Sequence, residues 1–246
     1  MITLDIILIK TLIIIIGLFI ASLQDIKSRE ISDKIWIILI PIGIFLTIIE
    51  IIIKGNYPYI LAIFSIIFSI ILALTLYYLH LYGGADAKAL ITIALFFPIP
   101  PYGIERTLII FPIIVFGNSL IATMIFLLLY IIIAIMWNSY MKLRGIDLFK
   151  GIEANKLKKI FAFVFGFKLN SKIANSIHFN PIERLYGNKR KIIISYKVED
   201  EKIIIHGDYI WATLNLPFIL FIFIGFILYL IYGDLLFQII NSLLKV

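Results

Sequence analysis

The chain has no cysteine among its 246 residues, which removes thiol nucleophiles, disulfides and Cys-ligated zinc at once. Histidine is nearly as scarce. His80, His178 and His206 are the only three, and no two stand at the i, i+4 spacing that sets a metal pair on one helix face. Charge is thin too: 15% of residues are Asp, Glu, Lys or Arg, against about a quarter in soluble domains, while 62% are hydrophobic and mean hydropathy is +1.08. A soluble core of this length cannot hide so much apolar surface, and a disordered chain or a disulfide-stapled scaffold is excluded as well. The solvent that remains is a lipid bilayer.

About 20 apolar residues cross a bilayer as a helix. Laid along the chain, that ruler predicts segments at Ile6–Leu23 (interrupted by Lys10), Ile35–Ile53, Tyr59–Tyr82, Asp86–Pro98, Thr107–Trp137 and Ile210–Leu244. The first lacks the cationic start of a signal peptide and runs through a short polar loop into another apolar run. The fourth, at 13 residues, reaches only about 20 Å, so its ends need protein or water around them. Pro98, Pro100 and Pro101 forbid its continuation. The fifth is too long, and Pro112 and Gly117 are expected to divide it.

Basic residues settle the expected orientation. Residues 140–209 carry fourteen Lys/Arg and seven Asp/Glu, so their net +7 equals that of the whole chain. By the positive-inside rule this stretch and the loop at residues 24–34 face the cytoplasm, and both termini face out. The expected architecture is an α-helical multi-pass protein of the cell membrane. Residues 1–139 hold helices one to five, 140–209 a small, partly β cytoplasmic insert, and 210–246 helix six. Within the insert, Lys191–Lys197 and Lys202–His206 read as a hairpin around Val198–Glu201, and Ile160–Phe167 fits either helix or strand. No fold for binding nucleic acid is recognisable, and anionic lipid headgroups are the simpler partner for this basic surface.

Acidic residues at segment ends are the candidates for chemistry. Asp25 closes the first segment and Asp86 opens the fourth, 61 residues on, yet the topology sets both at the cytoplasmic level. Two facing carboxylates share a proton, and such a pair activates water and protonates a leaving amide without a cofactor. Gly83, Gly84 and Ala85 just before Asp86 allow a tight turn and close approach of a substrate backbone. Lys88 reads as a headgroup anchor, Ser32-Asp33 as a helix cap, and Glu50 and Asp234 as outer-face residues. The structural alternative is that Asp86 is a plain N-cap and Asp25 a solvated loop residue.

The run Gln24-Asp25-Ile26-Lys27-Ser28-Arg29-Glu30-Ile31, followed by Gly83-Gly84-Ala85-Asp86-Ala87-Lys88, resembles the archaeal preflagellin peptidases, relatives of the bacterial type IV prepilin peptidases. The likeness extends to Phe111-Pro112-Ile113 and to Trp211–Pro217. It implies a membrane aspartic endopeptidase with catalytic Asp25 and Asp86 and a G-x-G-D signature on Gly83–Asp86, where Ala85 replaces the second glycine. Also implied are a precursor substrate, either preflagellin or prepilin, and cleavage of its basic leader at the cytoplasmic face. Bacterial relatives often methylate the new terminus and carry a Cys-x-x-Cys domain. With no cysteine and no such N-terminal extension, cleavage alone is expected here. Glu30 and Asp33 are placed to attract the leader by charge. A proton-coupled transporter is the competing class, but it would spread acids across the bilayer depth and show an internal repeat, and neither is present.

Overall fold

In a computed structural model, residues 2–55, 58–101, 110–186, 189–193 and 209–244 are described. The chain forms two compact units, one of residues 1–124 with 217–246 and the other of residues 125–216.

The first unit is helical: α1 (Ile2–Ser28), α2 (Asp33–Lys54), α3 (Tyr59–Tyr78), α4 (Gly84–Phe96), the start of α5 (Phe111–Leu143), α8 (Phe218–Tyr232) and α9 (Leu235–Leu244). The helices α1, α2, α3 and α5 are long and apolar enough to cross a membrane. A fifth span exists if α8 and α9, bent by 62°, count as one. Because Pro112 sits in the first turn of α5, its missing N–H interrupts no helical bond, and α5 runs unbroken for 33 residues. The division expected there does not occur. Gly117 is instead a contact point, where a Cβ would meet the Leu236 side chain. The third apolar segment stops being helical at Tyr78, and His80 turns the chain with φ +55°.

The short α4 is the most enclosed helix of this unit, burying Ala87, Ala89, Leu90, Thr92, Ile93, Ala94 and Phe96. Its 13 residues cannot span lipid, so the carbonyls at its end need protein donors. Thr47 supplies one from α2, donating to the oxygens of Leu95 (2.7 Å) and Phe96 (3.1 Å), and Ser65 on α3 donates to that of Pro98. Lys10, which interrupts the first apolar run, is fully buried. Its Nζ lies 2.6 Å from Glu50 Oε2, and Lys54 Nζ lies 2.6 Å from Glu50 Oε1. An isolated charge at that depth would be costly, and the pairing with Glu50 offsets part of the penalty.

Gly225 is where α8 and α5 touch backbone to backbone. A Cβ there would stand 2.6 Å from both Ser119 N and Val115 O, and would overlap Ser119 Oγ. Gly225→Ala is therefore expected to destabilise the protein by about 1–3 kcal/mol through overpacking. The check is a lowered thermal unfolding midpoint of the purified protein in detergent, and an unchanged midpoint would contradict this contact.

The second unit joins the rest of α5 to a β-rich insert, in keeping with the sheet expected late in the chain. Its elements are β1 (Ile152–Glu153), α6 (Lys156–Phe165), β2 (Phe167–Asn170), α7 (Ser171–Ala174), β3 (Phe179–Pro181), β4 (Glu183–Tyr186), β5 (Lys189–Ile192) and β6 (Tyr209–Leu214). One sheet has the order β1-β5-β4, with β1 parallel to β5, and the other is β2-β6-β3 with both neighbours antiparallel. Ile160–Phe167 resolves into helix up to Phe165 and strand from Phe167. Residues 210–214, expected to open the sixth membrane helix, are the central strand β6, with Ile210, Trp211 and Ala212 fully buried. A buried strand and a membrane span have the same hydropathy, and only pairing tells them apart. The helix starts after Pro217 instead. Most of the hairpin expected around Val198–Glu201 lies outside the described residues.

Polar side chains stitch this unit together. Asn138 on α5 donates to the oxygens of Phe163 (2.9 Å) and Gly166 (2.7 Å) and accepts from Lys168 N (3.0 Å). Tyr130 donates to Phe165 O (2.7 Å) and accepts from Leu214 N (3.2 Å).

Candidate functional site

Asp25 occupies the last turn of α1, its carboxylate turned inward. Its Oδ2 accepts the N–H of Ile219 at 3.3 Å. Ile219 is the second residue of α8, so the carboxylate caps the positive end of a helix that follows 194 residues later. Its other oxygen, Oδ1, lies 3.7 Å from the Arg29 guanidinium, on a residue whose φ of +59° ends α1. Asp25 is thus neither solvated nor in a loop.

Asp86 is the third residue of α4. Its Oδ2 accepts the N–H of Gly83 at 3.0 Å, which is the carboxylate half of a capping box. Gly83 has no side chain to return the bond, and a Cβ there would press to 3.3 Å on Asp86 Oδ2. Its φ of −75° is ordinary extended backbone, so the glycine clears space for the carboxylate and the turn itself falls on His80. Asp86 Oδ1 makes no hydrogen bond among the described residues. The helix ends that carry the two carboxylates meet in one core: Ala21, a turn before Asp25, is buried with Ala89 and Ile219, and Ala85 packs against them. The fold therefore brings together two acids that the sequence holds 61 positions apart.

The four other residues expected around the pair occupy different places. Gly84 and Ala85 form the first turn of α4, Ala85 packed against the main core. Asp33 opens α2 with Ser32 as its N-cap, as expected of this dipeptide. Its Oδ1 holds Lys88 Nζ at 2.6 Å, with both side chains exposed. That pairing ties the start of α2 to the first turns of α4. Glu30 is exposed in the loop between α1 and α2. This loop is held by Gln24 Oε1, which accepts Ser32 N at 2.9 Å, and by Ser28, which donates to Glu30 O at 2.9 Å.

Sequence reasoning missed Tyr82. Its ring stacks on Phe218 with centroids 4.6 Å apart and meets Phe116 edge-on at 5.7 Å. The Asp86 charge reaches it as well. Phe218 precedes the residue whose N–H Asp25 accepts, so one aromatic stack lies beside the supports of both acids. An aromatic residue directly before Gly83-Gly84 was the available signal. Among the described residues no group of three or more His, Asp or Glu could hold a metal ion.

A bundle of membrane-type helices with two carboxylates gathered at helix ends defines a class of candidate membrane hydrolases, and comparison with known proteins narrows it. Residues 12–141, which include Asp25 and Asp86, match the profile of the type IV leader peptidase family. A preflagellin peptidase of Methanococcus voltae is 31% identical over 221 residues, covering 84% of this chain and 87% of that protein. A preflagellin peptidase of Methanococcus maripaludis (strain C6 / ATCC BAA-1332) is 28% identical over 217 residues, covering 83% and 86%. The chain belongs to the type IV leader peptidase family: it is a peptidase and a multi-pass membrane protein.

Proposed function

We propose that the protein is an aspartic endopeptidase that removes the short basic leader from preflagellin or type IV prepilin-like precursors at the cytoplasmic face of the membrane. The observation that carries this reading is that the end of α1 bearing Asp25 and the start of α4 bearing Asp86 meet in one core, through Ala21, Ala85, Ala89 and Ile219. Two neighbouring carboxylates titrate as a pair holding one proton between them. The ionised member takes a proton from water as it attacks the scissile carbonyl, and the protonated member stabilises the oxyanion. Collapse of the tetrahedral intermediate breaks the C–N bond, with a proton passing to the leaving amine. Asp25, Asp86, Gly83, Gly84 and Ala85 supply the reaction centre and the room for an extended substrate backbone. Exposed Glu30 and Asp33 attract the basic leader, which competes with Lys88 for Asp33.

The same reading keeps six membrane segments, with α4 as the short fourth, a cytoplasmic insert between the fifth and sixth, and both termini outside. The segregated +7 of residues 140–209 supports this orientation. That both relatives are preflagellin peptidases favours a flagellin-type precursor over a pilin.

Membranes containing the protein, incubated with a full-length precursor, are expected to convert it to the leaderless form, and to do so in the presence of a chelator. Inhibition by chelator that zinc reverses would contradict a carboxylate-only mechanism. No cleavage of any basic-leader precursor would favour a transporter or a scaffold. Glu30→Lys/Asp33→Lys is expected to raise KM for a basic leader and to flatten the salt dependence of cleavage, since both follow from screened charge attraction. Unchanged KM would remove these two residues from substrate binding.

A further inference from the structure

The insert exposes an apolar face that its own fold does not use. In α6 the inward side is marked by Ala162, fully buried in the second unit's core with Phe163 packed beside it. At 100° per residue, Leu157, Ile160, Phe161 and Val164 fall on an arc of about 100° on the opposite side. Leu157 is 75% exposed and Ile160 55%, while Phe161 and Val164 are half-buried on the same arc. Lys156 and Lys158 flank this arc, and Lys159 lies over the Phe149 ring at 5.5 Å.

All three lysines sit in the first turn of α6, which has no acidic residue. Helix dipoles favour anions there, so the cations oppose the local helix energetics and are not explained by it. Upstream, Trp137 and Tyr140 pair with ring centroids 6.2 Å apart near the end of α5, followed by Lys142 and by Arg144 stacked on Tyr140. Aromatic rings followed by cations mark the depth at which a membrane helix leaves lipid. Only 12 residues separate the end of α5 from the start of α6, so α6 is tethered close to that boundary.

We propose that α6 is an interfacial anchor, its Leu157–Ile160–Phe161–Val164 face lying among the acyl chains just below the headgroups and its flanking Lys156 and Lys158 binding anionic lipid. An amphipathic helix with apolar side chains on one face and lysines at its margins binds in this way. The anchor fixes the insert to the membrane surface independently of the reaction assigned above.

The absence of cysteine makes the test direct. Leu157→Cys and, as a control, Lys189→Cys at an exposed position of β5 each give one site for an environment-sensitive fluorophore in the full-length protein. In nanodiscs containing anionic lipid, the label at 157 should shift to the blue, be quenched by doxyl-labelled lipid and resist aqueous iodide, whereas the label at 189 should behave oppositely. Adding Lys156→Gln and Lys158→Gln should weaken partitioning of α6 by about fivefold per lysine, read as lost doxyl quenching. Three results would overturn the proposal. Iodide access at 157 in the anionic nanodiscs would show a solvated face. Shielding from both quenchers would show a protein partner or a second copy. Equal doxyl quenching in purely zwitterionic nanodiscs would remove the anionic-lipid assignment.

Discussion

Asp86→Asn and Asp25→Asn are each expected to reduce leader cleavage by about 10³-fold or more while leaving the protein folded. The size follows from general acid–base catalysis, where one positioned group contributes roughly 10²–10⁴-fold and two act as a unit. Asparagine is chosen because it preserves the structural half of each role. In Asp86→Asn the amide oxygen still accepts the N–H of Gly83, and in Asp25→Asn it still accepts that of Ile219, so both helix starts stay capped. Only proton exchange is lost. Asp25→Ala would in addition strip the cap from α8, at a cost of about 1 kcal/mol in stability, so it would confuse two effects that asparagine keeps apart. The measurements are single-turnover cleavage of a precursor in membranes and the unfolding midpoint of each variant. Full cleavage by either asparagine variant would sink the dyad. Loss of activity with a collapsed midpoint would point to capping in place of chemistry.

The largest expected loss of stability lies in the insert. Glu183 is buried and fully engaged. Lys168 Nζ lies 3.2 Å from its Oε2, which also accepts the N–H of Trp211 at 3.1 Å, and Arg190 lies 3.4 Å from its Oε1. Glu183→Gln keeps an acceptor for Trp211 but leaves the Lys168 ammonium buried without its counter-charge. Breaking one side of such a pair costs about 3–5 kcal/mol. Lys168→Met/Glu183→Gln, which removes both charges, should recover most of it. Burial already pushes the Lys168 ammonium below the usual lysine range, with Glu183 opposing the shift. A lysine whose folded pKa is lowered is penalised while it is charged, and the penalty fades as pH rises through that value. The deficit of Glu183→Gln should therefore be greatest at neutral pH and shrink toward alkaline pH. Hydrogen exchange across β6 with pH would read this, and a pH-independent deficit would assign the loss to packing alone.

Much of this protein was legible in one dimension because the bilayer imposes one-dimensional rules. Apolar run length marked α1, α2, α3 and α5, and the shortness of the Asp86–Pro98 piece marked α4 as a helix needing protein at its ends. Asp25 and Asp86 stood out because charge is rare where apolar runs begin and end. Hydropathy failed where burial had another cause. Trp211 and its neighbours are apolar because β6 is the centre of a sheet, and a window of hydropathy cannot separate that from lipid. Pro112 was misread because a proline breaks a helix only beyond its first turn.

The sequence by itself determined the solvent, the helical class, the two acids and the segregation of positive charge, since each follows from composition and local order. Tertiary structure alone decided what those groups touch. It set Asp25 against the N-terminus of α8, paired Lys88 with Asp33, buried Lys10 on Glu50 and stacked Tyr82 on Phe218. These contacts join residues tens to nearly two hundred positions apart. Their energies depend on distance and desolvation, and neither quantity exists until the helices have packed.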